Sequence, residues 1–322
     1  MKAIVSTRYG SPDVLQLQEV PKPTPKDHEV LIRVRAGAVT PSDCAFRKGE
    51  PFIVKLIYGL RKPRLDIGGV EFSGEVEAVG KEVKLFTPGD QVWGMSPNTF
   101  GAYAQYLCLA EKSPLIVKSP QMRHEDAVGV VDGATTALTF LRAVANVQPG
   151  QKVLINGASG AVGAYGVQIA KYLGAEVTGV CSGANVELVK ALGADRVIDY
   201  THEDFTQNNQ AYDVIFDAVG KSSFGRCKRA LKPKGIYMTT VPSLGIVFNM
   251  LRTARSRGKK AKFTTAGLLQ SKESLTFLQT LFEAGRIKSV IDRCYPLEQV
   301  AEAHRYVDTG RKKGNVIITV GA

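Results

Sequence analysis

The sequence predicts an α/β chain of two parts, a doubly wound parallel sheet and a β-rich, barrel-like domain. Three observations carry that expectation. Residues 151–200 read as β-α-β-α-β, with short apolar runs alternating with helical patterns. A glycine-rich turn, Gly157-Ala158-Ser159-Gly160-Ala161-Val162-Gly163, separates the first apolar run from the first helix. Residues 2 to 110 offer short strands broken by Pro and Gly turns, the pattern of a small barrel.

Each element of the first part has its own signal. Val153-Leu154-Ile155 is a buried-type strand, and Val167, Ile169, Ala170 and Leu173 mark a helix that stops at Gly174. Glu176–Cys181 is the second strand, Asn185–Leu192 the second helix and Asp195–Asp199 the third strand. The spacing Ala158-x-Gly160-x-x-Gly163 is the dinucleotide fingerprint of the Rossmann fold with alanine for its first glycine. Such a turn lets backbone amides approach a pyrophosphate at the positive end of a helix dipole. Ser159, Gly160, Ala161 and Val162 are therefore the expected cradle.

The end of the second strand selects the cofactor. An NAD site places a carboxylate there for the ribose 2′-hydroxyl. Here the run is Cys181-Ser182-Gly183-Ala184-Asn185, without Asp or Glu. A hydroxyl and amides at Ser182 and Gly183 can donate to a 2′-phosphate, so NADP(H) is the expected cofactor. Tyr200 either covers the adenine ribose, donates to the phosphate or simply ends the sheet.

Composition sets the bounds. A length of 322 residues suits two cores, and 44% apolar with 22% charged residues is ordinary globular usage. No run of 18 apolar residues predicts a membrane span, and the amino terminus lacks the apolar region of a signal peptide. Five scattered cysteines without a CxxC pair suit a reducing compartment, so a cytoplasmic location is expected. The net charge of +12 looks dispersed apart from Arg252–Lys262, and no nucleic-acid partner is expected from it.

In chain order, Lys2–Ser6, Leu15–Val20, Glu29–Val39, Phe72–Val79, Asp90–Gly94 and Ala102–Ala110 read as strands. Pro21, Pro23 and Pro25 make a stiff connector. Pro51–Arg64, apolar with basic ends, reads either as a lid or as a packed surface loop. Residues 125 to 145 turn helical with a break at Asp132-Gly133, where Asp132 is expected as an N-cap. Tyr212–Asp217 is the fourth strand, Ser222–Leu231 a helix, Ile236–Thr240 the fifth strand and Lys262–Thr265 a candidate sixth. Leu244, Val247, Phe248 and Leu251 recur at helical spacing ahead of the basic run. Ser271–Ala284 and Leu297–Val307 are helices, Val290–Tyr295 and Asn315–Val320 strands.

Over essentially its whole length the chain resembles the medium-chain dehydrogenase/reductases, in particular their zinc-independent quinone oxidoreductase branch. The resemblance rests on residues 74–80 (GEVEAVG), 88–92 (PGDQV), 100–104 (FGAYA), 152–200 and 312–316 (KKGNV). It implies a GroES-like barrel over 1–124 and 266–322, with a Rossmann domain inserted over 125–265 and the active site in the cleft between them. It implies that Thr135 lies beside the nicotinamide half of the cofactor, that Val241 meets the nicotinamide amide through its backbone, and that Lys313-Gly314 closes over the cofactor. It implies a homodimer along the nucleotide-domain sheet. Relatives often carry Arg or Lys at or beside Ala184 to clamp the 2′-phosphate, and this chain does not.

Zinc-dependent relatives place a cysteine ligand where this chain has Thr40, and a histidine ligand where it has Val70 in Gly69-Val70-Glu71. Valine cannot bind a metal and a catalytic zinc needs three protein ligands, so no metal is expected. The four histidines lie far apart. Without a Lewis acid, hydride addition to an electron-poor quinone or α,β-unsaturated carbonyl is the easier chemistry. Thr40, Arg47 and Tyr58 are candidates for the substrate cleft, each with an equally simple structural role. No catalytic residue is assigned. The alternatives are reduction of a 2-enoyl thioester, with Arg61, Lys62 and Arg64 receiving a phosphopantetheine, and a non-catalytic NADPH-binding protein that holds RNA or a membrane through Arg252–Lys262.

Overall fold

In the computed structural model all residues but 209, 267–269 and 322 are described. The first elements are β1 (Lys2–Val5), β2 (Gln16–Glu19), β3 (Glu29–Val39), α1 (Pro41–Lys48), α2 (Phe52–Tyr58), β4 (Glu71–Val79), β5 (Gln91–Met95), β6 (Tyr106–Ala110), β7 (Leu115–Val117) and α3 (His124–Leu138). Then come β8 (Lys152–Asn156), α4 (Ala161–Tyr172), β9 (Glu176–Cys181), α5 (Val186–Ala191), β10 (Arg196–Asp199), β11 (Tyr212–Asp217), α6 (Phe224–Cys227), β12 (Leu231–Thr239) and α7 (Leu244–Ala254). The chain closes with β13 (Lys260–Lys262), α8 (Lys272–Glu283), β14 (Ile291–Pro296), α9 (Val300–Asp308) and β15 (Asn315–Thr319).

Two compact units form. The first comprises residues 1–131, 271–283 and 289–322. Its seven-stranded sheet runs β14-β15-β3-β4-β5-β7, with β6 also paired to β3. The long strand β3 serves three partners, β4 along one edge and β6 and then β15 along the other, while Val30, Ile32 and Val34 point into a core with Phe72, Val76, Leu107 and Ile318. Helix α9 closes this core with Val300, Ala303 and Val307.

The second unit, residues 132–270 and 284–288, holds a six-stranded parallel sheet in the order β10-β9-β8-β11-β12-β13. The chain moves outward from β8 to β10, returns, and continues from β11 to β13. The switch point therefore lies between β8 and β11, where such folds bind nucleotides. Val153, Leu154 and Ile155 are fully buried, as expected of a strand covered on both faces.

Several local expectations need correction. Residues 124–138 form one helix through Asp132 and Gly133, so Asp132 is not an N-cap. Gly133 is kept small by packing: a Cβ there would stand 2.9 Å from the Ala161 carbonyl oxygen. The helix runs on as a π turn to Val144, and this 21-residue stretch is apolar and long enough to cross a membrane, yet 72% of its most apolar window is buried in the protein. It is a core helix. The helix expected over Ser222–Leu231 shrinks to Phe224–Cys227, because Leu231 already pairs with Tyr212 in the sheet. The sixth strand falls at Lys260–Lys262, before the expected Lys262–Thr265. Pro51–Arg64 is not all loop, since α2 occupies half of it. The stripe Leu244, Val247, Phe248 and Leu251 faces outward, while Ile246 fills the sheet-facing core.

Candidate functional site

The glycine turn joins β8 to α4 on the edge formed by the carboxyl ends of the parallel strands. Gly157 has φ +81°, and a Cβ there would meet Val219 at 2.4 Å. At Gly163 a Cβ would stand 2.1 Å from the Gly157 carbonyl oxygen, so this glycine permits the helix to sit directly on the turn. Gly160 differs: its nearest neighbour would be 3.5 Å away, and the space above it is open. Gly160 is the N-cap of α4 and no side chain caps the helix. The first-turn amides of α4, at Ala161 and Val162, thus point at a cradle that a single methyl group at 160 would begin to fill. That arrangement fits a pyrophosphate.

Four more loops share this edge, because β8, β9, β10, β11 and β12 are all parallel. Ser182 and Gly183 follow β9, Tyr200 follows β10 and Val241 follows β12. Tyr200 is 62% exposed and Val241 45% exposed. Asn185 bridges the first two loops, donating to both Ser159 Oγ and Ser182 Oγ at 3.1 Å. Each serine hydroxyl accepts from Asn185 and keeps its own hydrogen for an anion. Thr135 is buried in α3, where its hydroxyl donates to the Asp132 carbonyl at 3.2 Å; it does not cap a helix start.

Sequence reading missed one carboxylate here. The run after β9 has none of its own, but the neighbouring strand supplies Asp199, whose carboxylate stands beside the Gly183 amide. It lies so near that a Cβ on Gly183 would be 2.6 Å from Oδ2. Hydrogen bonds from the Thr201 amide and hydroxyl hold Asp199 below the usual carboxylate range. A negative charge therefore sits beside the Gly183 amide. The β-α-β-α-β pattern makes β9 and β10 neighbours, but a linear reading does not reveal which β10 side chain reaches the loop after β9.

A second missed group underpins the switch point. Asp217, fully buried at the end of β11, accepts from Asn156 Nδ2 at 2.9 Å, the Ser222 amide at 2.8 Å and the Tyr237 hydroxyl at 3.0 Å. It joins the ends of β8, β11 and β12 and orients the loop that carries Val219 and Gly220. Gly220, at φ +65°, would clash with Val241 if it bore a Cβ, so these two loops touch.

In the first unit the structure gives two of the proposed cleft residues structural work. Thr40 caps α1, accepting from the Asp43 amide while Asp43 accepts from the Thr40 amide and hydroxyl. Arg47 is buried and paired with Asp308 at 2.6 Å. Arg47 and Tyr58 do line one cleft, with about 520 Å³ of open space including its mouth. Phe46, Tyr58 and Phe100 form its aromatic wall, with ring centroids 5.0 to 5.3 Å apart. Thr40 does not line it. His304, at the same cleft, has Nδ1 3.4 Å from Cys44 Sγ. Gly314 has φ +62°, and the Lys313 amide donates to Asp292 at 2.8 Å. Among the described residues no three His, Cys, Asp or Glu side chains gather as a metal site; Val70 is buried.

Comparison with known proteins agrees with this construction. Residues 26–121 match the family model of the alcohol dehydrogenase GroES-like domain, and residues 192–318 that of the zinc-binding dehydrogenases. The chain is 32% identical to the 2-methylene-furan-3-one reductase of Solanum lycopersicum over 330 residues, covering 99% of this chain and 79% of that one. It is 30% identical to the chloroplastic NADPH-dependent alkenal/one oxidoreductase of Arabidopsis thaliana, with the same coverage. The solved quinone oxidoreductase of Coxiella burnetii superposes with a TM-score of 0.90 at 29% identity, covering 100% of this chain and 99% of that one. With valine and threonine at the positions where its metal-using relatives carry ligands, the chain belongs to the zinc-independent branch of the medium-chain dehydrogenase/reductase family.

Proposed function

We propose that the protein is an NADPH-dependent reductase that passes a hydride to a quinone or an α,β-unsaturated carbonyl without a metal. The observation that carries this reading is the open, uncapped amino terminus of α4 at the switch point, framed by Gly157, Gly160 and Gly163. Bound there, a nicotinamide dinucleotide supplies the hydride; the chain's own residues bind and orient. Ala161 and Val162 donate amides to the pyrophosphate, and Ser159, Ser182 and Tyr200 offer hydroxyls to the adenosine half. Thr135, Val241, Lys313 and Gly314 are assigned to the nicotinamide half on the resemblance. The aromatic cleft of Phe46, Tyr58 and Phe100 suits a flat apolar acceptor. The alkenal/one oxidoreductase and the quinone oxidoreductase among its relatives support the acceptor class.

Preference for NADP over NAD belongs to this proposal. The two serine hydroxyls favour it, and the Asp199 carboxylate beside Gly183 opposes it. A homodimer formed along the free edge of β13, a cytoplasmic location and a division of labour between residues 125–265 and the rest complete the reading. Loss of NADPH absorbance in the presence of a panel of quinones, enones and alkenals tests it. Turnover with at least one of them is expected, and none with any would overturn the reading; light scattering tests the dimer.

A further inference from the structure

The excess positive charge is not spread over the molecule. Residues 218–272 hold thirteen Lys and Arg and no Asp or Glu, while the whole chain exceeds neutrality by twelve charges. The stretch builds α6, β12, α7 and β13, one edge of the parallel sheet. Among its described cations only Arg226 and Lys232 form salt bridges, with Asp204 and Asp213. Lys259 Nζ reaches the Lys228 carbonyl at 2.6 Å, which draws the turn after α7 and the end of α6 together. Lys228, Arg229, Arg255 and Arg257 are exposed around that junction.

Helix α7 starts three residues after Val241 and ends at this basic junction. It is apolar on both faces. Ile246 and partly buried Met250 pack on the sheet, with Ala261 and Phe263. Outward, Leu244 is 91%, Phe248 65% and Leu251 75% exposed, with Val247 between them. Their spacing of i, i+3, i+4 and i+7 makes one continuous stripe. A contiguous stripe of large apolar side chains in water marks a contact surface. An apolar helix face whose end carries a cluster of Arg and Lys is the make-up of a segment that lies in the headgroup region of a bilayer.

We infer that α7 and the basic junction at its end dock the protein on an anionic lipid surface, the stripe entering the acyl boundary and the arginines meeting lipid phosphates. Charge complementarity selects this occupant. A second copy laid parallel on the stripe would oppose two sets of Arg252, Arg255 and Arg257, and one laid antiparallel would set each group of arginines on the apolar start of the partner's helix, where residues 218–272 offer no acid. A nucleic acid would use the cations but has no use for Leu244, Val247 and Leu251. Docking of this kind gives access to acceptors dissolved in lipid; that consequence rests on the proposed reductase function, whereas the docking itself does not.

The test is flotation of the full chain with vesicles of phosphatidylcholine alone and of phosphatidylcholine with phosphatidylserine. The wild type is expected to float with the anionic vesicles, less so at high salt, and to remain behind with the neutral ones. Phe248→Ser with Leu251→Ser, and separately Arg255→Glu with Arg257→Glu, are each expected to weaken partition roughly tenfold or more. Both variants should keep the wild-type melting temperature and NADPH oxidation with a water-soluble acceptor. No flotation of the wild type overturns the inference, as does flotation unchanged by the apolar pair. It is also overturned if the apolar pair dissolves a dimer in light scattering while flotation persists, or if oligouridylate is bound more tightly than vesicles and only the Arg variant loses it. Flotation is read without turnover, so its failure is distinct from failure of the reductase assignment.

Discussion

Asn156 donates to Asp217 at 2.9 Å, and this buried bond ties together the two strand ends that flank the switch point. Both residues are the last of their strands, paired in register. Because Asp217 also accepts from Tyr237 on β12, one carboxylate sets three strand ends and two loops of the cofactor edge. Asp217→Ala leaves Asn156 and Tyr237 buried without an acceptor. It is expected to cost about 3 kcal/mol in urea unfolding and to weaken NADPH binding. Tyr237→Phe, which removes one donor and leaves nothing unpaired, should cost about 1 kcal/mol. Equal losses for the two variants would remove Asp217 from its position as the hub.

The three turn glycines should separate into two classes. Gly163→Ala sets a methyl group against the Gly157 carbonyl, where backbone must move, and is expected to cost about 3 kcal/mol of stability. Gly160→Ala meets nothing closer than 3.5 Å, so the fold should melt as the wild type does. The added methyl group occupies the pyrophosphate's side of the turn, and the Kd for NADPH should rise roughly tenfold or more. Thermal melting without cofactor and fluorescence titration with it read the two effects apart. A stable Gly160→Ala variant with unaltered affinity would place the pyrophosphate elsewhere.

Cofactor choice turns on the ground between Ser182 and Asp199. Asp199 stays ionised beside the Gly183 amide, so it repels a 2′-phosphate. Asp199→Asn is expected to raise the ratio of kcat/KM for NADPH over NADH several-fold. Ala184→Arg, at an exposed position, should raise it roughly tenfold by adding a charged donor. A fall in the ratio with either variant would show that the 2′ position is not recognised here.

These same residues show what the sequence could and could not reveal. The glycine turn, β9 and β11 were legible because strand–turn–helix chemistry is local: their residues contact one another along the chain. Asp199 and the Asn156–Asp217 bond were not, because each joins neighbouring strands through the sheet. Helices α1 and α2 span only 8 and 7 residues behind Pro41 and Pro51, too short for periodicity to outweigh the proline signals. The stripe on α7 was found by its period, but period alone does not tell which side of a helix meets the core. There Ile246, Met250 and Thr253 face inward while Leu244, Val247, Phe248 and Leu251 face outward, so apolar side chains stand on both sides.

The buried histidine of the first unit provides a pH-dependent signature. His304 is 1% exposed, and burial, with the Arg47 guanidinium beside it, lowers its pKa from 6.5 to about 3. In the folded protein it is therefore neutral throughout the range in which the unfolded chain's histidine takes up a proton. Stability is fully present above pH 6.5 and falls as the pH drops from there toward 3. At about pH 5 this one group should account for about 2 kcal/mol of the loss. His304→Gln cannot titrate, so its stability at neutral pH should be lower than that of the wild type but its decline toward about pH 5 shallower by that amount. Urea unfolding of both proteins across this range checks it. Asp308, whose carboxyl is held below its ordinary value by Lys48 and Arg47, adds a loss at still lower pH in both proteins and cancels in the comparison. Parallel declines for the two proteins would mean that His304 is protonated in the folded state, and that the Cys44–His304 contact opens to water as the pH falls.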